Sequence, residues 1–337
     1  MSHRLSPLRT LVLATCCALP LLPLGAARAQ SLADPAWEEL LESDRYAELE
    51  AQARQKLKAE PGDPQATLAL GFAVLSQGTP AQQDAGVPVA EACVKAHPES
   101  GVCHYVLANL LGVQALRAGM FKAMGMAGRI RESYEKAVAL QPDAFNHRLG
   151  LMQFYLAAPS IAGGGTDKAR DLARSTEAKY PEQARCLRAL VAVSEEKYDE
   201  AEKLLWAVQP GKDNALRSAV YGSLGQIGAQ RLNNKQPAPA QALFERLVQV
   251  EPGRAFAFYG LARVKAETGA LQDALRFFTQ ARSLRGQATL PIDYREALVW
   301  LQLGDNGKAK SLLQRFVDVG RGHPKNLEDA KERLAKL

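Results

Sequence analysis

Residues 255–286 read "AFAFYGLARVKAETGALQDALRFFTQARSLRG". With Ala255 as position 1, Phe258, Leu261 and Ala262 fall at 4, 7 and 8, and Ala274, Phe278 and Ala281 at 20, 24 and 27. Apolar residues three and four apart mark one face of a helix. Gly269, at position 15, separates the two sets and marks a turn. The stretch therefore predicts two short antiparallel helices. Small residues at 8, 20 and 27 let them approach closely, and large ones at 4, 7 and 24 fill the space beside them. A proline is expected at 32 to stop the second helix; Gly286 stands there.

The pattern recurs upstream. Leu224, Ile227, Gly228, Ala240, Phe244 and Pro252 hold positions 4, 7, 8, 20, 24 and 32 of a unit starting at Tyr221. "YDEAEKLL" (198–205) opens another second helix, Tyr134, Ala137 and Pro142 close another, and Leu70–Gly71 and Leu107–Ala108 match first helices. The stop prolines Pro61, Pro98, Pro142, Pro181, Pro210 and Pro252 are unevenly spaced, so the units are degenerate. A last pair is expected over 292–319, with Ala309 and Leu313 at 20 and 24, followed by a closing helix capped by Asn326. The series resembles the tetratricopeptide repeat, a helix–turn–helix of 34 residues. The resemblance implies an all-α fold, a right-handed α-α superhelix of about six to seven hairpins plus a C-terminal capping helix. One hairpin cannot bury its apolar face alone, so stacking supplies the core.

Residues 1–29 read as a cleavable signal peptide. Arg4 and Arg9 precede the apolar run "TLVLATCCALPLLPLG", and Ala27 and Ala29 offer small residues for cleavage. The solenoid is then expected over 30–337, in a periplasmic or secreted protein. No later segment is apolar enough to span a membrane. The signal carries Arg4, Arg9 and Arg28 and no acid, so the formal charge of +6 falls to +3. Lys and Arg are not clustered as a nucleic-acid footprint requires, so no nucleic-acid partner is expected.

Two units are too long. Around "AAPSIAGGGTDKA" (157–169), positions 7 and 20 are Leu151 and Ala169, five residues more than the frame allows. The excess falls near 158–166. A phosphate-cradling loop would need G-x-x-x-x-G-K-[ST] after a strand, and this stretch has no Gly-Lys pair. The expected reading is a turn: Pro159 ends one helix, Gly163, Gly164 and Gly165 allow the reversal, and Thr166 or Asp167 caps the next. A glycine nest holding an anion at that helix start is the alternative. The segment is also similar to one in exported bacterial tetratricopeptide proteins, where Ala-Pro-x-Ile-x-Gly-Gly precedes Lys-Ala. The second insertion, near 112–127, carries Met120, Phe121 and Met124 among Arg117, Lys122 and Arg129. Methionine suits adaptable surfaces, and also irregular cores. Both insertions arise in turns inside hairpins, so they should share one edge of the solenoid.

Beyond the signal the cysteines are Cys93, Cys103 and Cys186. Cys93 and Cys103 flank Pro98 on successive helices, within reach of a disulfide that export would permit. Alternatively, Cys93, His97, Cys103 and His104 could bind a metal or serve redox chemistry, although the spacing is not a usual zinc pattern. No cofactor is expected. His147 and His323 read as surface or helix-end residues.

Catalytic signatures are missing from the sequence: no G-x-S-x-G, no H-E-x-x-H, no G-x-G-x-x-G. A non-enzymatic scaffold is expected. The resemblance implies that certain first-helix positions line a concave groove: Tyr105, Asn109, Leu149, Gln153, Arg185, Arg188, Phe256, Tyr259 and Arg263. Aromatic, Arg and amide groups suit a peptide or a partner helix. Asn109 matches one residue of the carboxylate clamp of chaperone-binding relatives, but Tyr105 stands where that clamp needs lysine, so the clamp is not carried over.

Overall fold

The computed structural model describes residues 32–320 and 322–337; the expected signal peptide lies outside them. Among the described residues there are 17 α-helices and no strand. They pair as hairpins: α1 (Pro35–Glu42) with α2 (Tyr46–Ala59), α3 (Pro64–Gln77) with α4 (Pro80–Ala96), α5 (Gly101–Arg117) with α6 (Met120–Leu140), and α7 (Phe145–Ala157) with α8 (Thr166–Glu177). Next come α9 (Pro181–Ser194) with α10 (Tyr198–Trp206), α11 (Asn214–Asn233) with α12 (Pro237–Val250), α13 (Ala255–Glu267) with α14 (Leu271–Arg282), and α15 (Ile292–Gln302) with α16 (Asn306–Val319). The last helix, α17 (Pro324–Leu334), closes the stack. There are thus eight hairpins rather than six to seven, because short α1 and α2 form one of their own.

The repeat frame explains the core. Position 20 is Ala169, Ala201, Ala240, Ala274 and Ala309, each 0% exposed. Position 24 is Ala173, Leu205, Phe244, Phe278 and Leu313, all buried. A Cβ on Gly260 would lie 2.2 Å from the Phe244 ring and one on Gly228 2.6 Å from it, so Phe244 fills the space those two glycines leave. Interiors packed this closely tolerate little added volume.

Most hairpin turns have three residues, and the middle one is left-handed: Asp44, Glu196, Lys235, Gly269 and Gly304, with φ from 58° to 80°. That conformation closes a helix C-terminus. Between α7 and α8 the link runs from 158 to 165, which accounts for the five extra residues. The other insertion lengthens both arms of its hairpin, giving 17 residues in α5 and 21 in α6.

Two expected caps are corrected. Gly165 (φ 119°), not Thr166 or Asp167, occupies the N-cap of α8, because the turn must reverse there. α17 begins at Pro324, whose fixed φ suits a first helical turn, so His323 rather than Asn326 is its N-cap.

The superhelix meets itself after seven hairpins. Arg285, in the linker after α14, pairs with Glu42, and its Nε donates to the Glu42 carbonyl at 3.0 Å. The Gly286 amide donates to Asp44 Oδ2 at 2.7 Å. The first hairpin turn is thereby tied to a linker 242 residues away.

Candidate functional site: a basic aromatic pocket and an apolar edge

Three of the expected groove residues converge. Phe256, Tyr259 and Arg263 project from α13 into a pocket of about 230 Å³, where they meet Arg217, Tyr221 and Gly225 of α11. Gly225 matters because a Cβ there would come 3.0 Å from the Phe256 ring. The linkers add Glu251, Arg254 and Arg285, so the pocket adjoins the seam of the superhelix. Arg263 lies over the Tyr259 ring, 6.0 Å from its centroid, and donates to Asn233 Oδ1 at 3.3 Å. Burial lowers the pKa of its guanidinium, since the charge is poorly hydrated. Arg217, Tyr221, Arg254 and Arg285 were not among the expected groove residues. They fall outside the first-helix positions that the repeat frame singles out, and only the curvature of the stack brings them there.

The other expected groove residues sit elsewhere. Tyr105 and Leu149 are buried between helices, 3% exposed each, and fill the interior instead of lining an open groove. Asn109 is also buried and spends its amide on the Tyr105 carbonyl at 2.8 Å. Arg185 is held by Glu182 at 2.7 Å and by the Ala207 carbonyl at 2.8 Å. Arg188 pairs with Glu177. Of the expected positions on α5 and α7, Tyr105 and Leu149 therefore face neighbouring helices, while Asn109 and Gln153 border an opening.

Gln153 lines a second, mostly apolar cavity of about 360 Å³. Met120 and Met124 from the α5–α6 insertion border it, as do Pro159 and Ala162 from the α7–α8 loop, so the two insertions share one edge. Leu116, Met120, Phe121 and Ile161 are exposed there, Phe121 by 91%. The glycine loop is a structural turn. The amides of Gly163, Gly164 and Gly165 donate to Ser160, Pro159 and Tyr155 carbonyls at 2.9, 3.1 and 2.7 Å, leaving none of the three to cradle an anion. Lys168 Nζ in turn donates to the Gly163 carbonyl at 2.9 Å.

A disulfide joins Cys93 to Cys103, with Cα atoms 5.4 Å apart. It ties up the two thiols that the metal reading needed. His97 is exposed, and His104 Nε2 lies 2.9 Å from the Pro98 carbonyl. Cys186 is the free thiol and is buried, which pushes its pKa up to about 12 and leaves it unreactive. His147 is not a surface residue: it is 0% exposed, with Nδ1 on the Ala137 carbonyl at 2.8 Å. Its short side chain follows Phe145 and Asn146 into the hairpin interface. His323 does lie at a helix end.

No family model and no curated protein matches the sequence. Solved structures do match in fold. Yeast Tom70 is similar over 93% of this chain and 68% of its own, with 13% identity and a TM-score of 0.59. The human IFIT1 dimer with PPP-AAAA is similar over 89% and 69%, with 15% identity and a TM-score of 0.51. The APC/C hetero-tetramer Cut9–Hcn1 aligns over 89% of this chain, which spans only about half of the matched chain (54%; 13% identity, TM-score 0.43). The chain has the tetratricopeptide-repeat solenoid fold.

Proposed function

We propose that the chain is a non-enzymatic scaffold that binds a peptide or helix of a partner protein in the pocket around Phe256, Tyr259 and Arg263. One observation carries this reading: side chains from two successive first helices converge on an open, aromatic and basic concavity. Buried aromatic and arginine anchors of this kind dominate protein recognition. The exposed apolar edge at Met120, Phe121, Met124 and Ile161 is a second contact for the same partner. The leader-like residues 1–29 support a periplasmic or secreted setting, in envelope assembly or secretion. A protein partner is favoured over nucleic acid because the lining is mostly apolar and aromatic, with Tyr221, Phe256 and Tyr259 around a pocket of about 230 Å³.

The test is capture from envelope fractions with the purified chain, followed by mass spectrometry. A specific protein should be recovered and should be lost with Tyr259→Ala. Recovery of no protein sensitive to that change refutes the reading, and recovery of nucleic acid alone refutes the partner class. N-terminal sequencing of the exported protein tests the cleavage after Ala29.

A further inference from the structure

In a solenoid each hairpin packs on its immediate neighbours. A contact between the first hairpin turn and the linker after the seventh hairpin therefore stands outside the stack. Here the α1–α2 turn grips that linker: Arg285 pairs with Glu42, and the Gly286 amide donates to Asp44 Oδ2 at 2.7 Å. Asp44 is held for the task. Its left-handed φ of 58° makes the turn, and the hydroxyl of the buried Tyr46 donates to its other oxygen, Oδ1, at 3.0 Å. The grip is polar and partly wet. Both members of the ion pair are 41% exposed, and no described residue of α1 or α2 belongs to the apolar cluster that holds Phe278, Leu284 and Leu290. Exposed pairs are weak and screened by salt, so this contact can part without unstacking a hairpin.

The gripped linker is also a wall of the pocket. Arg285, Gly286, Thr289 and Leu290 line it, whereas no described residue of α1 or α2 does. The same linker is bonded in parallel to the one before it: the Ala255 amide donates to the Arg285 carbonyl at 2.9 Å, and the Arg285 amide to the Gly253 carbonyl at 3.3 Å. Ala255 opens α13, the helix that carries Phe256 and Tyr259. Asp44 is thus connected to the pocket by one hydrogen bond to Gly286, one step of chain, and a backbone bridge to the start of α13. We propose that the α1–α2 hairpin is a clasp, whose grip on Arg285 and Gly286 completes the pocket and whose release opens it. The proposal rests on the scaffold reading above for what the pocket receives, and it names how that site is regulated.

Spin labels on Ala47→Cys and Gln280→Cys in the full chain report the seam; with Cys186 buried and Cys93 bridged to Cys103, the two new thiols take the label. Hydrogen exchange followed by mass spectrometry reports the pocket. The clasp variant is Glu42→Gln with Asp44→Gly, because glycine keeps the left-handed turn and removes the acceptor. It should lengthen and broaden the distance between labels, and speed exchange by about tenfold in both 284–290 and 253–259. Raising salt from about 0.1 M to about 1 M should move the wild type the same way. Glu48→Gln, on the same hairpin but paired with Arg45, should change neither readout. Circular dichroism, and exchange in α9 and α10, should stay constant throughout. An unmoved label distance, faster exchange in 284–290 without any in 253–259, or faster exchange along the whole chain overturns the proposal. A partner held against Thr289 and Leu290 must favour the closed clasp in return, so the clasp variant should recover about fivefold less of it. The two readings fail separately. A native partner lost with Tyr259→Ala but recovered equally by the clasp variant overturns the clasp and leaves the scaffold standing. Coupled opening in a chain that captures no partner leaves the clasp and removes the scaffold.

Discussion

Acidification should destabilise this protein through His147 well before its carboxylates protonate. The ring is fully buried, 5.0 Å from the Tyr105 ring, and Nδ1–H donates to the Ala137 carbonyl at 2.8 Å. Nε2 has no hydrogen-bond partner among the described residues. Burial, opposed in part by the Ala137 bond and reinforced by Arg148, lowers the pKa from 6.5 to about 4. Between those values the unfolded chain binds a proton that the native chain refuses, so stability rises with pH across the window. The contribution is complete above 6.5 and is lost as pH falls toward about 4. From about pH 8 to about pH 5 the loss should be about 2 kcal/mol. Urea titrations followed by circular dichroism should show it in the wild type and not in His147→Gln, which cannot titrate. The two lines of stability against pH should converge on the acid side. If both proteins lose the same stability over that range, the buried neutral imidazole is refuted.

The disulfide closes a short loop, with ten residues of separation, and its reduction should cost about 3 kcal/mol. Under denaturing conditions a chain starting at residue 30 should titrate one thiol before reduction and three after it; three from the outset contradict the bridge. Gly164→Ala would place a Cβ 1.9 Å from the Ala158 carbonyl oxygen. A backbone atom cannot rotate aside, so the loop must move, at about 1–3 kcal/mol; an unchanged urea midpoint would show the loop is looser than described.

Much of the fold was legible because helix pairing is local. Ala274, Phe278 and Ala281 lie within one helix, and the 3.6-residue period puts them on one face whatever surrounds them. The five surplus residues around Gly163–Gly165 could be counted against the same frame. Caps were harder to read. Competing starts such as Gly165 against Thr166 differ by one residue and by the direction of the incoming chain. His147 does stand at a helix end, in the first turn of α7, but it is buried there and not exposed, because the whole stretch from Phe145 to Met152 is enclosed by its neighbours.

By itself, then, the sequence determined the α-hairpin unit, its repetition and the positions of the two insertions, since all three depend on residues a few turns apart. Only the tertiary structure decided which first-helix residues open into a pocket and which are sealed. It also decided that Arg217 and Arg285 join Arg263, and that Glu42 meets Arg285. Those relations depend on the accumulated rotation of hairpin on hairpin, a quantity set by side-chain volume at every interface and written in no single repeat.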